Sequence, residues 1–327
     1  MDEVPQSLSI ETTKKSTRVL VLSVIICLML IILLGTSAYT VLEHKRAERA
    51  RALAALSSST AQNLVHPESF TNLSLEASAA YVLDLSTDTV LYEKNARTQL
   101  PLASLTKLMT ALVAVNLIPT DTPVVLESQV FTEEGDVGLV VGQKWDRTTL
   151  SNLTLVASSN GGARALSLAG EKESGKNFLN EMNVRSRNLG MTETFYGNPT
   201  GLDLTGTQGG SYGSAHDMAL LMGYVVKSYP ELIQATRFPL YTARSKEGAL
   251  TLVRNTNQNV SNIPGIIGSK TGFTDLARGN LVIAFDRGLA QPVVIAVLGS
   301  SQEGRFRDVE SLVLRTFAYY NEPLTAP

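Results

Sequence analysis

Strand patterns at both ends of a long segment, with helical patterns between them, constrain the fold of this chain more than any other feature. Residues 79–95, "AAYVLDLSTDTVLYEKN", alternate in polarity on both sides of an "STD" turn, which predicts a β-hairpin. Near the other end, "GSKTGFT", "GNLVIAFDR" and "PVVIAVLGSS" predict three more strands. We therefore expect an α+β fold whose single antiparallel sheet is assembled from both ends of the domain and flanked by helices.

The middle of this segment, about residues 125–235, predicts a mostly helical inserted subdomain. Its helical stretches are "LSNLTLVASSNGGARALSLAG", "GKNFLNEMNVRSRNLG" and "SAHDMALLMGYVVKS". The last of these begins with Ser214 and Asp217 at the spacing of a capping box. A final helix, "FRDVESLVLRTFAYY", closes a domain that we expect to extend over residues 75–327.

An apolar run lies near the start of the chain. Residues 19–34, "VLVLSVIICLMLIILL", contain Ser23 as their one polar residue besides a cysteine. Extension of the run to Leu42 gives about 36 Å of helix, which is enough to cross the ~30 Å core of a bilayer. We expect residues 19–42 to be a transmembrane signal-anchor helix, with a cleaved signal peptide as the alternative.

This interpretation divides the rest of the amino-terminal region. Residues 1–18 would form a cytoplasmic tail, and residues 43–74 would form a helical and Ser-rich linker to the domain. Lysine and arginine residues flank the apolar run on both sides, so the positive-inside rule leaves its orientation open.

Composition excludes several classes of function. The net charge is −2, which argues against a nucleic-acid-binding protein, because such proteins carry a basic surface. The chain has one cysteine, Cys27, so an intrachain disulfide and a multi-cysteine metal site are excluded. The three histidines are far apart in sequence, which argues against a histidine-based metal centre. We expect no metal or organic cofactor.

The stretch "PLASLTKLMTALVA", residues 101–114, predicts a helix with an apolar stripe that also carries Ser104 and Lys107. Residues three apart share one face of a helix, so the lysine nitrogen can reach the serine oxygen. A serine is a poor nucleophile until a base removes its proton, and a lysine can be that base if burial or a nearby cation favours its neutral form. The pair alone is also compatible with an ordinary structural helix.

Two later stretches add polar groups of the same chemistry. "ASSNGG" holds Ser158 and Asn160 in an S-x-N pattern, and "GSKTGFT" holds Lys270, Thr271 and Gly272 on a predicted strand. A lysine, a threonine hydroxyl and a glycine that permits close backbone approach suit a substrate with a carboxylate. The alternative for the second stretch is an edge strand with a solvated lysine.

The order S-x-x-K, S-x-N, K-T-G resembles the motif set of penicillin-binding proteins and class A β-lactamases. The chain is most similar to the D-alanyl-D-alanine carboxypeptidase family of low-molecular-mass penicillin-binding proteins. The resemblance extends over about residues 79–319 and includes "LGMTETFYGNPTGLD", "KTGFTDLARGNLV" and "RFRDVESLVL". It implies a β-lactamase/transpeptidase-like fold and a peptidoglycan stem peptide ending in D-Ala-D-Ala as substrate, with β-lactams as covalent inhibitors.

The resemblance also implies catalytic roles. Ser104 would attack the carbonyl between the two terminal D-alanines and form an acyl-enzyme, with Lys107 as general base. Ser158 would pass a proton to the leaving amine, and Asn160 would contact the substrate amide and the lysine. Lys270 would add positive field and hold Ser158.

Substrate-binding roles follow in the same way. Thr271 would contact the terminal carboxylate, and the backbone N–H groups of Ser104 and Phe273, the residue after Gly272, would form the oxyanion hole. Arg305 is placed where the family often has an arginine near the carboxylate end of the site, and a surface arginine at a helix start is its alternative.

Other motif residues are interpreted as structural. Asn198, Gly201 and Asp203 in "NPTGLD" predict a turn in which the glycine adopts positive φ. The family commonly has Asp-Ala-Ala after the S-x-N asparagine, whereas this chain has Gly161, Gly162 and alanine, which would loosen the local helix.

Three alternatives remain for the activity. No E-x-x-L-N-like motif, which a β-lactamase often uses for deacylation, occurs between Asn160 and Lys270. A D,D-endopeptidase shares all the motifs, so the sequence cannot separate it from a carboxypeptidase. An inactive peptidoglycan-binding relative is the non-enzymatic alternative. Because the substrate is cell-wall peptide, we expect the domain to lie outside the membrane and the amino terminus inside.

Overall fold

A five-stranded antiparallel sheet forms the centre of the structure, with its strands in the order Ile266–Thr274, Arg278–Asp286, Pro292–Ser300, Ala79–Asp84 and Thr89–Lys94. The structure is a computed structural model, and it describes residues 68–131 and 138–321. By its internal contacts the chain divides into residues 1–65 and 66–327, and every described residue belongs to the second unit. The sheet joins the first two strands to the last three, which confirms the predicted assembly from both ends.

The helices and strands follow one another along the chain. In order they are β1 (Ala79–Asp84), β2 (Thr89–Lys94), β3 (Leu100–Pro101), α1 (Thr106–Leu117), β4 (Val124–Val125), β5 (Lys144–Trp145), α2 (Arg147–Ala157), α3 (Asn160–Ser174), α4 (Phe178–Asn188), β6 (Phe195–Tyr196), β7 (Ser211–Gly213), α5 (Ala215–Ser228), β8 (Leu240–Arg244), β9 (Leu250–Arg254), β10 (Ile266–Thr274), β11 (Arg278–Asp286), β12 (Pro292–Ser300) and α6 (Gly304–Asn321).

Both faces of the sheet are buried. Alternate side chains of β12 point to opposite faces, so Ile295 and Val297 pack against α6 whereas Ala296 and Leu298 pack into the larger core beneath the helices. A strand covered on both sides must be apolar at nearly every position, which explains the unbroken run in "PVVIAVLG". The sheet is therefore the middle layer between α6 and the helical part.

Helix α1 lies inside the helical part. Its residues from Thr106 to Ala114 are all buried, including Lys107. A helix that is buried on every side is surrounded by protein and does not lie on a surface. The predicted apolar stripe would bury one face of this helix, whereas the structure buries all of its faces. Helices α2 to α5 each begin at a polar residue whose side chain accepts a backbone hydrogen bond, as expected for N-caps. These caps are Asp146, Ser159, Asn177 and Ser214.

Two predicted helices have different boundaries in the structure. The helix predicted at residues 101–114 begins at Thr106, after a 3-10 turn over Ala103–Leu105, so Ser104 precedes the α-helix. The stretch 150–170, predicted as helical throughout, is divided because Ser158 adopts a left-handed conformation (φ 60°) between α2 and α3. Both breaks fall at predicted catalytic residues.

The β8–β9 hairpin was not predicted, and part of the predicted linker belongs to the domain. Phe70, which the sequence analysis places in the linker, is buried, and its ring stacks on Tyr92 with the centroids 5.7 Å apart. The expected tail, membrane span and first part of the linker lie outside the described residues. Within the part of the chain that is described, no helix combines the length and apolarity needed to cross a bilayer.

Candidate active site

The turn that carries Ser104 has an unusual backbone conformation and is held in place by residues of β10 and β11. Ala103 has φ 48°, a conformation that a non-glycine residue adopts only when its surroundings impose it. The Asn280 amide on β11 donates hydrogen bonds to the carbonyls of Pro101 and Leu102, at 3.0 and 3.1 Å. Gly272 on β10 lies so close that a Cβ there would be 2.7 Å from the Leu102 carbonyl oxygen, so the absence of a side chain lets β10 pack against this turn.

Lys107 is fully buried, and its Nζ contacts three oxygen atoms. These atoms are Ser104 Oγ at 2.7 Å, Asn160 Oδ1 at 2.9 Å and the Thr200 carbonyl oxygen at 2.8 Å. Amide and peptide carbonyl oxygens only accept hydrogen bonds, so they take the two N–H groups of a neutral amine. A neutral amine held in this way would direct its lone pair toward the hydroxyl of Ser104, as a general base must.

Ser158 and Lys270 form a second pair in the same site. Lys270 is 1% exposed, and its Nζ donates to Ser158 Oγ at 2.9 Å and to the Thr271 carbonyl at 2.8 Å. Burial, followed by repulsion from Lys107 and Arg305, lowers the pKa of Lys270 well below its usual range. The two Ser–Lys pairs therefore lie in one electrostatic environment.

Strand β10 forms the open edge of the sheet beside these pairs. The backbone N–H of Ser269 donates to Thr236 Oγ1 at 2.9 Å, away from β11. Because N–H groups alternate in direction along a strand, those of Thr271 and Phe273 point to the same open side. The Phe273 N–H therefore faces this open side, and the Phe273 residue is 42% exposed.

Arg305 is buried rather than solvated, being 6% exposed at the start of α6. Its guanidinium donates to the Gly272 carbonyl at 2.8 Å and lies over the Phe306 ring. Burial lowers its pKa from the usual arginine value. The arginine is thus joined to the strand of the K-T-G motif, which argues against the surface alternative.

Sequence reasoning missed three contributors to the site. The Thr200 carbonyl accepts from Lys107, and the hydroxyl of Thr256 lies 2.6 Å from that of Thr271. A backbone carbonyl leaves no signal in the residue type, and a threonine after an undetected hairpin has no motif around it. Asn280 lay within the predicted strand "GNLVIAFDR", and its burial among apolar neighbours was the available signal.

The turn residues behave as interpreted. Gly201 has φ 79°, and a Cβ there would lie 1.9 Å from the Ala103 carbonyl oxygen. The Asn198 side chain accepts from the backbone N–H of Thr200 at 3.1 Å and of Gly201 at 2.6 Å. This turn therefore fixes the carbonyl that Lys107 contacts, while Asp203 accepts from Thr274 at 3.1 Å.

Outside this site, one group of described residues has the spacing of metal ligands: Glu193, His216 and Asp217. Its atoms already have partners. Arg97 lies 3.3 Å from Glu193 and 3.2 Å from His216 Nε2, and Asp217 accepts from the backbone N–H of Glu193. A guanidinium at this position opposes a second cation, so the group does not support a metal proposal.

The fold that holds these two Ser–Lys pairs is the fold of a class of protein, the low-molecular-mass penicillin-binding proteins. The chain belongs to the D-alanyl-D-alanine carboxypeptidase family, whose family model matches residues 44–302.

Individual relatives agree with this assignment. The chain is 28% identical over 258 residues to a D-alanyl-D-alanine carboxypeptidase of Bacillus subtilis, covering 76% of this chain and 64% of the relative. It is 36% identical over 216 residues to a D-alanyl-D-alanine endopeptidase of Pseudomonas aeruginosa, covering 64% and 67%. The match thus spans less than two thirds of the first relative.

A solved structure is similar to this fold as well. Penicillin-binding protein D2 of Listeria monocytogenes, in an ampicillin-bound form, superposes with a TM-score of 0.63 and 30% identity. The superposition covers 75% of this chain and 99% of that one.

Proposed function

We propose that this chain is a serine D-alanyl-D-alanine carboxypeptidase that removes the terminal D-alanine from peptidoglycan stem peptides. The observation that carries the proposal is the contact of Lys107 Nζ with Ser104 Oγ, at 2.7 Å, inside a buried site that a second Ser–Lys pair completes. Family membership supplies the substrate class.

The reaction follows from the geometry. Ser104 Oγ attacks the carbonyl carbon of the peptide bond between the two D-alanines, and its proton passes to Lys107 Nζ. The N–H groups of Ser104 and Phe273 stabilise the oxyanion, and donors of this kind typically lower such barriers by about 3 kcal/mol each. The C–N bond then breaks as the leaving amine takes a proton through Ser158, and water hydrolyses the ester on Ser104.

The carboxylate of the leaving D-alanine would lie at the end of the site that holds Thr271, Lys270 and Arg305. Thr271 would donate its hydroxyl to that carboxylate, while the buried Arg305 supplies positive charge and Lys270 adds to it when it is protonated. A charge is felt more strongly where water is excluded, so this end of the site would favour substrates with a free terminal carboxylate. That preference is the reason to place a carboxypeptidase first.

Labelling with a penicillin tests the nucleophile. We expect a fluorescent penicillin to form a covalent adduct with the full chain, and mass spectrometry to place the adduct on the peptide that contains Ser104. The Ser104→Ala variant is the matched control and should remain unlabelled. An adduct on any other peptide would refute the assignment.

A D,D-endopeptidase is the second candidate, favoured by the 36% identity to the P. aeruginosa endopeptidase. Two substrates separate the candidates: a pentapeptide ending in D-Ala-D-Ala and a crosslinked peptide dimer. Release of D-alanine from the pentapeptide supports the carboxypeptidase, whereas cleavage of the dimer alone supports the endopeptidase.

We also propose that residues 19–42 anchor the chain in the cell membrane and that the catalytic domain lies on the extracytoplasmic side. The length and apolarity of this run support the anchor, and the location of the cell wall supports the orientation. Protease digestion of intact spheroplasts should degrade the domain and leave a protected amino-terminal fragment. Protection of the domain would contradict the orientation.

A further inference from the structure

One face of the β8–β9 hairpin is exposed to solvent and carries large apolar side chains. Strands β8 and β9 pair only with each other, as an antiparallel two-stranded sheet. Ala243, Thr251 and Val253 on one face are buried against the domain. The opposite, exposed face, called here the hairpin face, consists of three cross-strand pairs: Leu240 with Arg254, Thr242 with Leu252, and Arg244 with Leu250.

Large apolar side chains are concentrated on and beside the hairpin face. Leu250 and Leu252 are each 61% exposed, and Phe238, just before β8, is 51% exposed. Val140 and Val141, 58% and 55% exposed, belong to a segment that is hydrogen-bonded to the hairpin on both sides of them. The two bonds run from Thr251 Oγ1 to the Gly138 carbonyl, at 3.1 Å, and from the Lys246 N–H to the Lys144 carbonyl, at 2.7 Å.

The hairpin segment itself, residues 237–254, carries an excess of positive charge, although the chain as a whole has a net charge of −2. Between residues 237 and 254 there is a single acidic residue, Glu247, which accepts from the backbone N–H of Lys144. Among the described residues, no carboxylate forms an ion pair with the cationic residues of this segment. These are Arg237, Arg244, Lys246 and Arg254.

From this surface we infer that the hairpin face docks onto an anionic lipid bilayer. Leucine and phenylalanine side chains that project from a flat ribbon can enter the boundary between headgroups and acyl chains. Long arginine side chains beside them can extend their guanidinium groups to lipid phosphates, and the attraction requires an anionic membrane surface. Leucine is under-represented among the residues that dominate protein–protein interfaces, whereas Leu240, Leu250 and Leu252 form most of the apolar area of this face, so a bilayer is favoured over a protein partner.

This inference rests on the proposed membrane attachment, which keeps a bilayer near the domain. Residues 43–67, between the proposed span and the described domain, can reach up to about 85 Å when extended, so the tether permits the contact. Strand β9 continues directly into Thr256, whose hydroxyl lies 2.6 Å from that of Thr271. Docking would therefore hold the active site at the membrane surface, where it would act on stem peptides close to the bilayer.

Depth-dependent fluorescence quenching in the full chain tests the contact. Replacement of the single cysteine by Cys27→Ser allows one fluorophore to be attached through Leu252→Cys, and Leu314→Cys on α6, a leucine that is 70% exposed, is the matched control. The proteins are reconstituted into vesicles of equal parts phosphatidylglycerol and phosphatidylcholine that contain brominated lipid. We expect stronger quenching at residue 252 than at residue 314. The difference should shrink in phosphatidylcholine alone and in the variant Arg244→Gln/Arg254→Gln.

Each outcome decides one point. If the chain floats with the vesicles in a density gradient but quenching is equal at residues 252 and 314, the inference is overturned and the proposed anchor is not. Such a result would favour a soluble or cell-wall partner for the hairpin face. A chain that does not float with anionic vesicles overturns both the inference and the anchor. Penicillin labelling of Ser104, measured on the same samples, reports separately on the proposed enzymatic function.

Discussion

At the scale of single residues, two buried lysines distinguish this site from an ordinary core. Lys107 and Lys270 each place Nζ within 3 Å of a serine hydroxyl, and both ammonium groups lie out of contact with water. Burial and the repulsion between like charges in one enclosed site lower the pKa of Lys270 well below its usual range. The neutral amine is the form that can remove a proton from serine.

Lys107→Ala tests the general base. We expect acylation of Ser104 by a fluorescent penicillin to fall by a factor of at least about 100, because general-base catalysis typically contributes 10²–10⁴-fold. The rate of labelling is the measurement, and circular dichroism checks that the variant is folded. Labelling at the wild-type rate would remove Lys107 from the mechanism.

Lys270 makes stability depend on pH. Its pKa is lowered in the folded chain by burial and by the neighbouring Lys107 and Arg305, whereas the unfolded chain keeps the ordinary value of about 10.4. Between the two pKa values the unfolded chain binds more protons, so the contribution of Lys270 to stability increases with pH and is complete above about 10.4. It is lost as the pH falls through the lowered pKa.

Lys270→Met removes this proton linkage and provides the comparison. We expect the free energy of unfolding of the wild type, relative to Lys270→Met, to increase between about pH 7 and about pH 10. Urea unfolding of both proteins over this range is the measurement. If the difference in the free energy of unfolding between the two proteins does not change with pH, the lowered pKa of Lys270 is contradicted.

At the scale of elements, patterns carried by many side chains were predictable, and breaks set by one residue were not. The β1–β2 hairpin and strands β10 to β12 follow from their polarity patterns, and Ser214 caps α5 as the capping box predicts. Ser158 is left-handed at the junction of α2 and α3, and a serine in that position carries no local sequence signal for this conformation. The β8–β9 hairpin was missed because its exposed face carries leucines.

Gly162 determines how closely helices α2 and α3 approach each other. A Cβ at this position would be 2.2 Å from Thr154 Oγ1, a buried hydroxyl with no hydrogen-bond partner among the described residues. The expectation that the Gly161–Gly162 pair loosens the helix is therefore incomplete, since the second glycine permits a close helix contact.

A double-mutant comparison tests this contact. Gly162→Ala should destabilise the fold by about 1–3 kcal/mol, because overpacking outweighs the better helix propensity of alanine. The variant Thr154→Ala/Gly162→Ala removes the collision together with the unpaired hydroxyl, and we expect it to recover most of the loss. Thermal unfolding of Gly162→Ala, Thr154→Ala and the double variant is the measurement, and losses that simply add would argue against the contact.

At the scale of the whole molecule, Asp308 joins the two ends of the domain. Its buried carboxylate on α6 accepts from the backbone N–H groups of Glu76 and Ala77, at 3.0 and 2.9 Å, and from Ser300 Oγ at 2.7 Å. The segment before β1, the end of β12 and the last helix thus meet at one side chain. Next to it, the exposed Arg307 forms an ion pair with Glu76 across the same junction.

Asp308 and Arg307 allow a buried interaction and an exposed interaction at the same junction to be compared. Asp308→Ala leaves two backbone N–H groups without their acceptor, and we expect a loss of about 2–5 kcal/mol in the free energy of unfolding. Arg307→Ala removes a solvent-exposed pair, for which a much smaller effect is expected. Comparable losses of melting temperature for the two variants would show that the junction is not held by the buried carboxylate.

The pairing of β1 with β12 also sets the order of events during synthesis. Ala79 pairs with Leu298, so the first strand made must wait for its neighbour until some 220 further residues have been translated. At about 5–20 residues per second this delay is roughly 10–40 s. Throughout that time the apolar hairpin β1–β2 has one edge without its native partner, and a chaperone or an export factor could bind the nascent chain there.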